Sequence, residues 1–300
     1  MSEPSGANLS LATVLAERNE GVTVVSQLDV GAARRLAFEL PDQRIAALQV
    51  GPTDGRPVLL LPGYTGSKED FGPILDPLAA TGLLVTSIDL PGQFESPGLP
   101  PGGDYTPDGL APYVREVARR LGPRTLLVGH SFGGLVARAA VISEPALFES
   151  LVLLSSGPAA LEGTRRVTID QLDPVLASAG LPGVYAAMQA AAIGDPHFVA
   201  PDPDLADFLE RRFLGSSPEM LKGMADALRS EPDRVAELRA TAVPVLVAHG
   251  TDDDAWLPAV QLDMAERLDA RYAVIPDAAH SPAVENAEGT VAVLTEFWLG

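Results

Sequence analysis

From residue 34 onward, hydrophobic and polar positions fall into short apolar runs separated by stretches with a helical period. RRLAFEL and RIAALQV come first, with Pro41 and Asp42 marking the turn between them, and read as an antiparallel pair. Six more runs follow: PVLLLPG (57–63), LLVTSIDLPG (83–92), RTLLVGH (124–130), SLVLLSSG (150–157), PVLVAHG (244–250) and RYAVIP (271–276). Each is nearly continuous rather than alternating, as expected of strands covered on both faces in a parallel sheet. Helical stretches lie between most of them, at 107–121 and 133–143 for example. Strand alternating with helix predicts an α/β fold with a mostly parallel, doubly wound sheet of about eight strands.

The alternation stops between 157 and 243. That interval carries helix signals only: GVYAAMQAAAIG, DPDLADFLERRFL, SPEMLKGMADAL and PDRVAELRA. Ser217 followed by Pro218 reads as an N-cap with proline at the first helical position, and Asp204 as a cap for the helix before it. A single crossover needs far fewer residues, so 158–243 is expected to form a helical lid inserted into a core of 21–157 and 244–300. SPGLPPGGDYTP (96–107) reads as a surface loop. Residues 1–20 read as a leader that lacks the basic segment and cleavage site of a secretory signal. No run of about 18 uncharged apolar residues is read, so no membrane span and a cytoplasmic location are expected.

Composition narrows the chemistry. With 46% hydrophobic residues, 300 residues can bury a sizeable core. Forty acidic against 21 basic residues give a net charge of −19, which disfavours nucleic acid and anionic membranes as partners. The chain has no cysteine, so disulfides, thiolate catalysis and cysteine-bound metal are excluded.

Gly129-His130-Ser131-Phe132-Gly133 fits G-x-S-x-G between a strand-like and a helix-like run. The pattern suits a turn so tight that the serine is strained and exposed, with the following helix aiming N–H groups at it. A serine hydroxyl needs a base and usually a carboxylate behind it. Of four histidines, His130 must point away from Ser131 and reads as packing, His249 ends a strand, and His197 sits in the lid. His280, in PDAAHSP, follows the last strand where chemistry gathers in open α/β sheets, and is the candidate base. Asp252, Asp253 and Asp254 follow PVLVAHG, leaving room for one helix and one strand before His280. The order is then Ser, Asp, His.

Together, LLLPGYTG, SIDLPGQFESPG, LLVGHSFGGLVA, VPVLVAHGTDDD and PDAAHSPAVENAE resemble the α/β-hydrolase superfamily, covering most of the chain outside the lid and the N-terminus. The resemblance implies Ser131 as nucleophile, His280 as base and Asp253 as acid; counting back from Pro258 gives Asp254 instead. It implies an oxyanion hole from the N–H groups of Tyr64 and Phe132. Pro62-Gly63 stands where many relatives have His-Gly, and Phe94 replaces a small residue in the D-x-x-G-x-G-x-S loop, whose role reads as structural. The implied activity is hydrolysis of a small-molecule carboxylic ester or lactone through an acyl-enzyme, with no metal or organic cofactor. The alternatives are a carbon–carbon hydrolase, thioesterase or perhydrolase on the same triad, or a non-catalytic ligand-binding homologue. Ser131 argues against epoxide and haloalkane hydrolases, which place aspartate at the elbow. Met188, Phe198, Phe208, Phe213, Met220, Met224 and Trp256 are candidates for an apolar acyl pocket. These features leave the oligomeric state unspecified.

Overall fold

A computed structural model describes residues 26–194 and 199–300. The leader, His197 and Phe198 lie outside the described residues. All eight apolar runs form strands: β1 (Arg34–Glu39), β2 (Arg44–Val50), β3 (Arg56–Leu61), β4 (Leu83–Ile88), β5 (Thr125–His130), β6 (Phe148–Leu154), β7 (Val245–Gly250) and β8 (Arg271–Ile275). They make one sheet in the order β1-β2-β4-β3-β5-β6-β7-β8. β1 pairs antiparallel with β2 and β2 with β4, while every pair from β4·β3 to β7·β8 is parallel.

The continuous runs are explained by cover on both faces. Within β5, Leu127 enters one core cluster while Leu126 and Val128 enter the other. Helices α2 (Pro107–Leu121) and α3 (Phe132–Ser143) bury Leu110, Val114, Leu135 and Val136 on the first face. On the second, α1 (Gly72–Ala79) and the last helix, Ala287–Leu299, bury Ile74, Leu75, Leu78, Leu294 and Trp298. Because β3 and β5 to β8 run in parallel, the loops leaving β3, β5, β7 and β8 open at one edge of the sheet.

Between β6 and β7 the chain forms α4 (Gly163–Ile193), α5 (Pro203–Leu214), α6 (Pro218–Ser230) and α7 (Val235–Ala240), with no strand among the described residues. Ser217 does cap α6, its Oγ accepting from the Met220 N–H at 3.2 Å. The cap of α5 is Asp202 rather than Asp204: Asp202 Oδ1 accepts the Asp204 N–H at 2.9 Å. Pro203 fixes this choice, since proline is favoured at the first helical position and the cap must precede it.

α4 corrects two further expectations. It begins some twenty residues earlier than GVYAAMQAAAIG and is broken at Gly180, where φ is 63° and ψ −164°. It is also long and apolar enough to cross a membrane by length and composition. Residues 174–193 carry no charged side chain, which the two prolines and the serine within them obscured.

Candidate active site

Gly129 and Gly133 allow the tight bend between β5 and α3. A Cβ on Gly129 would stand 2.3 Å from the Gly133 carbonyl oxygen, and one on Gly133 2.5 Å from the carbonyl oxygens of Leu61 and Pro62. Between them Ser131 adopts φ 53° and ψ −120°, a conformation unfavourable for a residue with a side chain. Its backbone is pinned all the same: Ser131 N–H donates to Leu154 O at 2.9 Å, and Ser131 O accepts from Gly134 N–H at 2.9 Å and Ser156 Oγ at 2.8 Å.

His280, from the loop after β8, brings Nε2 to 3.0 Å from Ser131 Oγ and Nδ1 to 2.9 Å from Asp253 Oδ1. An ionised carboxylate only accepts, so Nδ1 carries the proton and Nε2 is left to accept from the serine hydroxyl. All three are nearly enclosed, at 8%, 6% and 2% exposure for Ser131, His280 and Asp253. Burial alone would raise Asp253, but attraction to His280 and hydrogen bonds from His280, Ala255 N–H and Gln261 Nε2 hold it down at about 2. Asp254, the alternative acid, faces away and is gripped by Arg165 of α4 through Nε (3.0 Å) and Nη2 (2.6 Å). Asp252 is exposed.

Tyr64 and Phe132 flank Ser131 from the loop after β3 and the start of α3. Phe132 is the first residue of α3, so its N–H lacks a partner within the helix. Among the described residues the Tyr64 N–H donates to no protein acceptor. The Tyr64 hydroxyl donates to Leu221 O of α6 at 2.8 Å, and burial raises its pKa well above the ordinary value.

Several residues that the sequence left unassigned or read as packing act on this geometry. His130 Nε2–H donates to the His280 carbonyl at 2.6 Å, and burial pushes its pKa down to about 3. Gln261 of the helix Pro258–Leu268 donates to Asp253 Oδ2 at 2.8 Å. Glu285 Oε2 accepts the N–H groups on both sides of His280, from Ala279 (2.6 Å) and Ser281 (3.1 Å). The His130 contact spans 150 positions and leaves no local mark, while those of Gln261 and Glu285 span only four to eight positions but follow no pattern that singles these residues out. His249 is structural, as expected at a strand end: Nδ1–H donates to Gly250 O at 2.7 Å and Nε2 accepts from Tyr272 OH at 2.6 Å.

Of the apolar pocket candidates, Met220, Met224 and Trp256 are buried in the same cluster as Phe132, while Phe213 and Met188 pack in a second cluster that reaches Tyr64. Phe208 is buried and meets Phe94 edge-on at 5.9 Å. The helices between β6 and β7 are tied to the rest of the chain by Arg212 pairing with Asp70, by Ser217 N–H donating to Gly92 O (2.8 Å), and by Arg165 with Asp254.

Similarity to known proteins agrees with this architecture. A Variovorax paradoxus protein named, provisionally, as the carbamate hydrolase RutD is 30% identical over 240 residues, covering 79% of this chain and 89% of that protein. The pimeloyl-[acyl-carrier protein] methyl ester esterase of Edwardsiella ictaluri is 27% identical over 249 residues, covering 81% and 93%. The enol-lactonase of Burkholderia xenovorans superposes with a TM-score of 0.72 at 20% identity, over 88% of this chain and 100% of that one, a likeness of fold. Residues 58–293, from β3 to the last helix, match the sequence signature of the alpha/beta hydrolase family, and the chain belongs to that family.

Proposed function

We propose that this hydrolase cleaves a small-molecule carboxylic ester or lactone through an acyl-enzyme at Ser131. The observation that carries the reading is the continuous hydrogen-bonded line from Ser131 Oγ through His280 to Asp253, at 3.0 and 2.9 Å. His280 Nε2 takes the hydroxyl proton as Oγ attacks the carbonyl carbon, and Asp253 stabilises the imidazolium that results. The Tyr64 and Phe132 N–H groups receive the charge that develops on the carbonyl oxygen, helped by the positive end of α3. His280 then gives its proton to the leaving alkoxide, and a water activated by the same imidazole releases the acid.

Two supports bear on the ester or lactone class. Apolar side chains around Tyr64 and Phe132 suit an uncharged acyl group. The Edwardsiella relative is named for a methyl ester, and the Variovorax relative for a carbamate, which is also a carbonyl attacked by acyl transfer. The enclosed serine supports the helices between β6 and β7 as a lid that must part to admit substrate. A fluorophosphonate probe is expected to label the protein, and Ser131→Ala to lose both labelling and turnover of p-nitrophenyl esters. Labelling that persists in Ser131→Ala refutes the assignment. Inertness to the probe together with tight binding of a small ligand favours the non-catalytic reading. Thioester cleavage with no ester cleavage moves the substrate class, not the residues.

A further inference from the structure

We infer that Gln93 is a positioning residue for the oxyanion contact at Tyr64. The inference rests on the reading above, in which the Tyr64 N–H receives developing charge. That N–H and the Gly63 carbonyl belong to one peptide unit, which is planar and trans. In such a unit the C=O and N–H point in opposite directions, so whatever fixes the carbonyl aims the N–H. The Gly63 oxygen accepts two hydrogen bonds, from Gly66 N–H at 3.1 Å and from Gln93 Nε2 at 2.6 Å. The only side chain among the described residues that bonds this peptide unit is therefore Gln93.

The amide of Gln93 is held in one orientation. Its side chain is fully buried, and Oε1 accepts the Leu90 N–H at 2.9 Å. Exchanging oxygen and nitrogen would set oxygen against the Gly63 oxygen and N–H against the Leu90 N–H. The loop that carries Gln93 is equally constrained: Gln93 N–H donates to Leu90 O and Ser96 N–H to Gln93 O. At its root, Asp89 accepts from Lys68 N–H at 2.7 Å and Lys68 Nζ at 2.9 Å, both fully buried, and Lys68 follows directly on the loop that contains Tyr64. The two loops are thus joined by the ion pairs of Lys68 with Asp89 and Glu95 and by Gln93, and of these only Gln93 bonds the peptide beside the nucleophile. A Cβ on Gly63 would stand 3.2 Å from Ser131 Cβ, which measures how closely that peptide lies against the elbow. Hydrogen bonds to the carbonyl also polarise the unit and strengthen the N–H as a donor.

Two variants and one inhibitor test the role. Gln93→Met keeps the volume and removes the donor; Gln93→Glu keeps the shape and, as a carboxylate, cannot donate to Gly63 O. Both are expected to lower kcat for a p-nitrophenyl ester by about 10- to 100-fold, less than deletion of an oxyanion donor because the N–H remains but is misaimed. KM is expected to stay within about twofold, since the contact forms only in the transition state. Affinity for a trifluoromethyl ketone, whose adduct carries the oxyanion, falls by the same factor as kcat, and the pH midpoint of kcat stays where it is. Unchanged kcat in folded Gln93→Met, a loss confined to KM, a displaced pH midpoint, or failure of both variants to fold overturns the inference. Ser131→Ala separates the two levels: turnover surviving there sinks the proposed function itself, whereas an inactive Ser131→Ala beside a fully active Gln93→Met refutes only the role of Gln93.

Discussion

His130 is bonded to Ser131 in the chain, yet its ring reaches across to the loop that carries the base. Its Nε2–H donates to the His280 carbonyl, so the distance between Ser131 and His280 is set by a second link besides their own hydrogen bond. Burial is the main reason its pKa falls from 6.5 to about 3. The folded state therefore favours the neutral ring, and the stability this contributes is whole above about 6.5 and lost as pH falls toward 3. Gln at this position can still donate to the carbonyl and does not titrate. His130→Gln is expected to match the wild type within about 1 kcal/mol near neutral pH and to lose less stability on acidification, as measured by urea denaturation at both pH values. Equal losses in the two proteins would falsify the claim that His130 titrates in the fold. From the sequence His130 reads as packing, because a hydrogen bond across 150 positions leaves no mark on its neighbours. Ser131 and His280 were legible for the opposite reason: each follows a strand in a glycine- or proline-containing turn, and parallel strands bring such turns to one edge, whereas the turn after β7 offered three aspartates and only the family resemblance singled out Asp253.

α3 packs against the end of β3 with no room for a side chain at its second residue. A Cβ at Gly133 meets two backbone oxygens, those of Leu61 and Pro62, and backbone in a buried parallel sheet does not give way as a flexible side chain would. Gly133→Ala is expected to destabilise the protein by about 3 kcal/mol or more, at the upper end of ordinary overpacking, visible as a lower denaturant midpoint. A variant as stable as the wild type would show that α3 can shift, and the Phe132 N–H with it. The strands around this contact were readable because burial on both faces demands unbroken apolar runs, so β3, β5, β6 and β7 stand out individually. The first half of α4 was not readable: Arg165, Arg166, Asp170 and Asp173 sit among apolar residues with Pro174 and Gly180, which locally signal loop or termination. Its place is fixed by contacts far along the chain, Arg165 with Asp254 and Arg166 with the Arg229 carbonyl.

Across the whole molecule, pH acts through opposing groups on a chain of net charge −19. Asp253, held down at about 2, contributes stability that is present above 3.8 and lost as pH falls through 2, and His130 adds to the same acid-side loss. Glu285 acts in the other direction. Burial raises it to about 7 against the two backbone N–H groups it accepts, and its Oε1 is buried with no partner among the described residues. A raised carboxyl contributes stability that is whole below its ordinary 4.5 and lost as pH climbs through 7. The losses on the two sides leave a plateau of stability between about 4.5 and 6.5. On the alkaline side, ionising Glu285 also adds charge to a molecule that already repels itself. Glu285→Gln keeps an acceptor for the Ala279 and Ser281 N–H groups and cannot ionise. It is expected to exceed the wild type by on the order of 2 kcal/mol near pH 8, with the gap narrowing as pH falls toward 5, as read by thermal or urea denaturation at each pH. The turn around His280 should keep its geometry in the variant, so kcat near pH 8 is expected to be maintained. A variant less stable than the wild type at pH 8 would mean that the folded protein needs Glu285 as an anion, and the alkaline decline would then have to come from groups elsewhere in the chain.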